Sequence, residues 1–188
     1  MERSFLEIRH LDEKIDYDGS QLAPHWIYKK TGIMGDAAVS FIGSCNVTDD
    51  QMADLEDLLQ HKSIKADKML HFVIELFGRD CILATAIQCL FISEIQNLLL
   101  NKNVPVKKDG DDLFINNGKL SISIASVSPV SALIHIGLNI SNAGTPVKTS
   151  ALEDFNIEPK AFSSSVLERF NSEFSRLILA ASKVRARL

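Results

Sequence analysis

The sequence predicts an α+β fold: a mixed or antiparallel sheet with helices packed mainly on one side. Three observations carry this. Residues 69–77 and 133–140 alternate apolar and small or polar positions at period two, as half-buried strands do. Between 81 and 100 apolar residues recur at helical spacing and leave little polar face, as in a helix laid on a sheet. Asn116-Asn117-Gly118 stands between two apolar runs and signals a hairpin, which joins antiparallel strands.

In chain order, the first 34 residues are mixed and polar and predict little. From Ala37 to Ile42, Ala37, Val39 and Phe41 alternate with Ala38, Ser40 and Ile42, predicting a strand that ends at Gly43. Thr48 with Gln51 three residues on reads as a capping box opening a helix whose face is Met52, Leu55, Leu58 and Leu59. In the strand 69–77, Phe72, Ile74 and Leu76 form one face, and His71, Val73 and Glu75 the other. Gly78-Arg79-Asp80 closes it, with Asp80 as N-cap of the long helix. Pro105 ends that helical region, and 107–112 form a polar turn. Beyond the hairpin, Leu120, Ile122 and Ile124 are expected on one face of a strand. In the next strand Ile134, Ile136, Leu138 and Ile140 share a face. Residues 144–159 read as loop. Ser165 with Glu168 reads as a second capping box, for a final helix marked by Val166, Phe170, Phe174, Leu177 and Ala181. Its basic end, Lys183, Arg185 and Arg187, complements the helix dipole.

The 188 residues fit one domain, with 1–34 the least defined part, 35–145 the core and 160–188 the closing helix. With 46% hydrophobic and 23% charged residues the chain is not a disordered tail. Lys plus Arg is 20 and Asp plus Glu 24, a net charge of −4, which argues against a nucleic-acid partner. Cys45, Cys81 and Cys89 show no zinc spacing, and an odd count suits a reducing compartment. Residues 1–4 open with charge, not with an apolar signal core. Gln88, Ser93, Glu94 and Gln96 interrupt the longest apolar stretch, so no membrane span and a cytoplasmic location are expected.

The chemistry is expected in 108–140. Opposite the apolar face of the strand after Gly118 stand Lys119, Ser121, Ser123 and Ala125; on the following strand stand Leu133, His135, Gly137 and Asn139. Paired, the two strands would share a face of small and polar groups with room for a small ligand, Lys119 offering an ammonium to a phosphate or oxyanion. The alternative is a solvated outer face of an antiparallel sheet. Asp109, Asp111 and Asp112 form an acidic turn, either a magnesium site or an ordinary polar turn, and no metal ligand set is assigned. His71 and Glu75 share a strand face about 13 Å apart, too far to chelate together. Phosphate-loop, dinucleotide, zincin and nucleophile-elbow motifs are absent.

Residues 108–121, Lys-Asp-Gly-Asp-Asp-Leu-Phe-Ile-Asn-Asn-Gly-Lys-Leu-Ser, resemble the core motif of biotin protein ligases. There a Lys-Trp-Pro-Asn-Asp turn precedes a strand, a turn and a lysine at the interval seen here from Asp112 to Lys119. His135-Ile136-Gly137-Leu138-Asn139-Ile140 is similar to that family's Gly-Ile-Gly-Ile-Asn-Val strand. The segment also resembles lipoate ligases and octanoyl transferases of the same class II synthetase-like fold. The whole chain resembles an uncharacterised prokaryotic family of about this length. The resemblance implies a biotin/lipoate-ligase-like fold and a ligase or acyl/adenylyl transferase acting on a small carboxylic acid or its adenylate, with ATP and magnesium. It places Lys119 on the acyl group and phosphate of an acyl-adenylate, Asp112 near the ribose or amino end, and Asn139 in support of the sheet. Asp111, Ser121, Ser123, His135 and Gly137 complete the expected ligand set. The ligases' glycine-arginine-rich adenylate loop has no counterpart, no cysteine follows Cys89, and Ile122 replaces a glycine, its side chain expected on the apolar face. A non-catalytic ligand-binding or self-association module on the same fold therefore stands beside the enzyme reading, with a homodimer through exposed sheet edges.

Overall fold

The computed structural model describes residues 4–185, so Met1, Glu2, Arg3 and the basic Arg187 lie outside the described residues. The chain runs β1 (Glu7–His10), α1 (Trp26–Thr31), β2 (Ala37–Val47), α2 (Leu55–Leu59), β3 (Ile64–Phe77), α3 (Cys81–Asn101), β4 (Val106–Asp109), β5 (Asp112–Ile115), β6 (Gly118–Lys119), β7 (Ser121–Val127), β8 (Ser131–Asn139) and α4 (Pro159–Ser182). The main sheet has the order β1-β2-β3-β8-β7, with β1 parallel to β2 and the other neighbours antiparallel. β4, β5 and β6 form a small second sheet.

One face of the main sheet is a dry core. Phe72, Ile74 and Leu76 of β3 meet Ile134, Ile136 and Leu138 of β8 there, under α3 and α4. Phe91 of α3 sits between Phe72 and Phe170, ring centroids 5.0 and 4.7 Å away. Asp80 caps α3 as expected, accepting from the Leu83 N–H at 2.8 Å. By length and hydropathy α3 does qualify as a membrane span, contrary to the sequence expectation. Ala84, Ile87, Phe91, Ile92, Ile95 and Leu99 are instead buried on the sheet and α4.

The opposite face is covered by the chain itself. Residues 11–17 run beside β2, with the N–H groups of Leu11, Ile15 and Tyr17 donating to the carbonyls of Ser40, Ile42 and Ser44. β2 therefore does not end at Gly43; it continues to Val47 with a register slip between Gly43 and Cys45. Gly43 is required because a Cβ there would stand 1.8 Å from the Ile15 carbonyl oxygen. α1 follows, and Ile27 joins Tyr17, Val39, Phe41, Ala66, Met69 and Val73 in a second core.

Two helix starts differ from expectation. Thr48 opens only a single 3₁₀ turn, and α2 is capped by Asp54, which accepts from the Glu56 and Asp57 N–H groups. Leu55 and Leu59 of that short helix are 72% and 80% exposed. α4 begins at Pro159 with Glu158 as its cap, so Ser165 lies inside the helix, bonded to the Ala161 carbonyl. The Asn-Asn-Gly hairpin forms as read: Asn116 and Asn117 both have positive φ, 49° and 64°, as a type I′ turn demands.

Candidate functional site

A cavity of about 460 Å³ opens on the second face of the sheet. Tyr17, Ile64, Ala66, Met69, Ile122 and His135 supply floor and walls, while Lys119, Asp112, Asp57, Lys62 and Lys65 stand among its polar lining. Residues 51–54 of the β2–β3 connection and 145–149 of the loop after β8 border it.

Lys119 lines the cavity, and its Nζ lies 2.7 Å from Asp112 Oδ2, both side chains about one-third exposed or less. The pair forms because the tight hairpin sets β6 against β5 and returns Lys119 beside the start of β5. Burial raises the Asp112 carboxyl above its ordinary value, and the Lys119 ammonium opposes that shift. The backbone at Lys119 is held by a bridge to Thr149: Lys119 donates to the Lys148 carbonyl and accepts from the Ser150 N–H. Asn139 tightens this junction, donating from Nδ2 to the carbonyls of Lys119 at 3.0 Å and Ser150 at 3.3 Å. Its amide thus supports the lysine strand.

The shared small-residue face does not form as expected. β7 and β8 pair, but in the register Ile122↔Gly137 and Ile124↔His135. Ile122 therefore faces the cavity, not the apolar core, and Ser121 and Ser123 turn toward α3 and the small sheet. Ser121 Oγ accepts from the Leu113 N–H at 2.8 Å. Ser123 Oγ donates to Asp111, whose Oδ2 also takes a 2.7 Å bond from Gln88. The reason lies at Leu120. The chain leaves the small sheet for the main one there, and the alternation restarts with Leu120 already buried in the helix-side core. Asp111, Ser121 and Ser123 still reach the cavity edge. Gly137 does not line it: a Cβ at this position would meet Met69 Cε at 2.9 Å and Ile122 Cγ1 at 3.1 Å, so the glycine lets those two side chains close the wall.

His135 belongs to the floor. Its Nε2 lies 3.0 Å from Nδ1 of His71, and Tyr17 stacks on it at 3.6 Å between centroids. Glu75, on the same strand face as His71, is bonded elsewhere, accepting from the His25 N–H and Ser131 Oγ. Tyr17 and Met69 carry no motif and escape sequence reading; only the fold delivers them. Magnesium does not fit the acidic turn: Asp111 is bonded to Gln88 and Ser123, Asp112 is paired with Lys119, and the described residues contain no cluster of three or more His, Cys, Asp or Glu arranged for a metal.

The architecture is that of the biotin and lipoate protein ligases. A mutant of the biotin protein ligase from Aquifex aeolicus, in complex with biotin, superposes with a TM-score of 0.59 at 16% identity, covering 92% of this chain and 71% of that one. The T. acidophilum protein Ta0514, assigned as a lipoate protein ligase and solved with bound lipoic acid, gives 0.59 at 14% identity, covering 89% and 84%. Much nearer stands a protein of unknown function from Pyrococcus horikoshi, with a TM-score of 0.95 at 41% identity over 97% of this chain and 100% of that one. The uncharacterized protein MJ0805 of Methanocaldococcus jannaschii is 35% identical over 162 residues, 82% of this chain and 72% of that protein. Residues 6–185 match the model of the family described as Domain of unknown function (DUF366), and the chain belongs to that family.

Proposed function

We propose that the cavity binds a small carboxylic acid with an apolar body and that the chain acts on it as a ligase or acyl/adenylyl transferase. The observation that carries this reading is Lys119, an ammonium beside a cavity walled by Ile64, Ala66, Met69 and Ile122. An acid's carboxylate would exchange with Asp112 for that ammonium, while its body is removed from water against the apolar wall. Adenylylation would join the carboxylate to the α-phosphorus of ATP and release pyrophosphate, with Lys119 neutralising charge on the acyl phosphate. The likeness to solved biotin and lipoate ligases supports the reading at the level of fold.

Thermal shift and calorimetry with biotin, lipoate, octanoate and ATP test it. Binding of at least one acid that weakens tenfold or more in Lys119→Ala is expected; stabilisation by none of the acids defeats it. A second reading, a binding module without turnover, is favoured by the Asp112 pair, which already neutralises the lysine, and by the missing glycine-arginine loop. Pyrophosphate release from ATP in the presence of a bound acid decides for the enzyme; tight binding with no release decides for the module.

A further inference from the structure

Along β8, His135 stands four residues from Asn139, the residue that holds the Lys119 backbone. Four residues of strand span about 13 Å, so the cavity has two ends. One has the ammonium of Lys119. At the other, Tyr17 lies flat on His135, with 3.6 Å between the centroids and 7° between the planes. Both residues line the cavity, and both are almost wholly buried, 3% and 2% exposed.

Each of these rings brings one polar atom without a partner. Tyr17 Oη and His135 Nδ1 make no hydrogen bond to the described residues, and neither is among the fully enclosed atoms. The two cannot serve each other, because an imidazole nitrogen bonds in the plane of its ring and the phenol is stacked above that plane. His135 Nε2 is already bonded to His71 Nδ1 at 3.0 Å, and that bond forms with either ring as donor. His135 Nδ1 therefore presents a lone pair in one tautomer and an N–H in the other. The phenol can take either role. Val47, Ala66 and Ile122, which line the cavity and pack in the same apolar cluster as Tyr17, have side chains with no donor or acceptor. Burial keeps both imidazoles neutral and the phenol protonated.

We infer that Tyr17 Oη and His135 Nδ1 form a neutral polar subsite, and that the ligand's end remote from its carboxylate carries an uncharged group able both to donate and to accept, a hydroxyl or a primary amide. The inference rests on the carboxylic-acid reading and narrows its substrate class. A hydroxyl meets His135 in whichever tautomer the pair adopts, accepting from an N–H or donating to a lone pair, and the phenol takes up its remaining capacity. A methyl terminus strands two buried polar atoms against hydrocarbon, and a charged terminus is desolvated beside two neutral rings.

The test is calorimetry on the full chain with three acids of one body: octanoate, 8-hydroxyoctanoate and 8-aminooctanoate. The hydroxy acid is expected to bind about tenfold more tightly than octanoate, and the amino acid more weakly than the hydroxy acid. Tyr17→Phe keeps the stacked ring and loses only Oη. In it, and in His135→Phe, the preference for the hydroxy acid is expected to fall about threefold or more, with octanoate affinity unchanged. Equal affinities for octanoate and the hydroxy acid, an amino acid that binds as tightly as the hydroxy acid, or a preference kept in full by either variant overturns the inference and leaves the carboxylate reading standing. Failure of all three acids to bind overturns the two together. Should His135→Phe not fold, Tyr17→Phe decides alone.

Discussion

The two faces of the main sheet share strands and differ in almost everything else. Toward α3 and α4, β3 and β8 present Phe72, Ile74, Ile136 and Leu138 to side chains that fill the space. Toward the N-terminal segment the same strands present His71, Glu75, His135 and Asn139, all buried, and each makes at least one side-chain hydrogen bond. One face is held by area removed from water, the other by a few directed bonds around a void. A face that is to receive a ligand has to leave volume unfilled, and its buried polar atoms then need partners that a close-packed core never requires.

The largest expected effect breaks the dry face. Phe91→Ala removes the ring wedged between Phe72 and Phe170 and is expected to cost about 3–5 kcal/mol in urea denaturation. Ligand affinity of the remaining folded fraction should stay within twofold, because no atom of Phe91 faces the cavity. A matching loss of affinity would show that the two faces are not separable.

The next effect belongs to the wet face and depends on pH. His71 binds its proton at about 4 in the folded chain and near 6.5 when unfolded. Between those values the unfolded state holds more protons, so stability is complete above 6.5 and falls as pH drops toward 4. The shift corresponds to a loss on the order of 3 kcal/mol, with His135 adding in the same direction. Denaturation midpoints taken from pH 7 to 4 should show this slope, and His71→Phe should flatten it. A variant slope equal to that of the wild type would mean that the ring is not excluded from solvent protons.

This asymmetry also explains what the sequence disclosed. The dry face was legible because repetition writes it: period two in 69–77 and 133–140, helical spacing in 81–100, an Asn-Asn-Gly turn. That Lys119 returns beside Asp112 follows from a tight hairpin, a local relation that sequence spacing can carry. The wet face was not legible. Tyr17 reaches His135 only because 11–17 pair with β2 at a register slip, and pairings between distant segments leave no periodic trace. The Ser121 and Ser123 side was misjudged for a related reason: Leu120 carries the chain between sheets, and alternation counted through it comes out one residue wrong. Ser165 and Thr48 satisfied a local capping pattern, but Pro159 and Asp54 had stronger claims on the helix starts.

Gly137→Ala is expected to have a smaller effect and one confined to the wet face. Its new Cβ meets the far ends of Met69 and Ile122, which can move, so a cost of about 1 kcal/mol is expected. The displaced side chains would enter the cavity, so ligand affinity should fall more than stability does. Calorimetry beside thermal denaturation of the one variant compares the two losses; an affinity unchanged at reduced stability would remove Ile122 and Met69 from the binding wall.

The smallest stability effect should come from the residue with the largest proposed effect on binding. The Lys119–Asp112 pair is short, but 34% and 26% of the two side chains are exposed, and solvent screens such pairs to about 1 kcal/mol or less. Lys119→Ala leaves Asp112, half-buried and already raised in pKa, without its cation. That residual cost is expected to disappear in the Lys119→Ala/Asp112→Ala double variant, since the second substitution removes the stranded carboxylate. Acid binding should not return with it. If the double variant recovered binding, the apolar wall alone would hold the ligand and the ammonium would be a structural partner of Asp112. If stability recovers and binding does not, the lysine is held in place by the protein and used by the ligand, which is the division of labour the two faces imply.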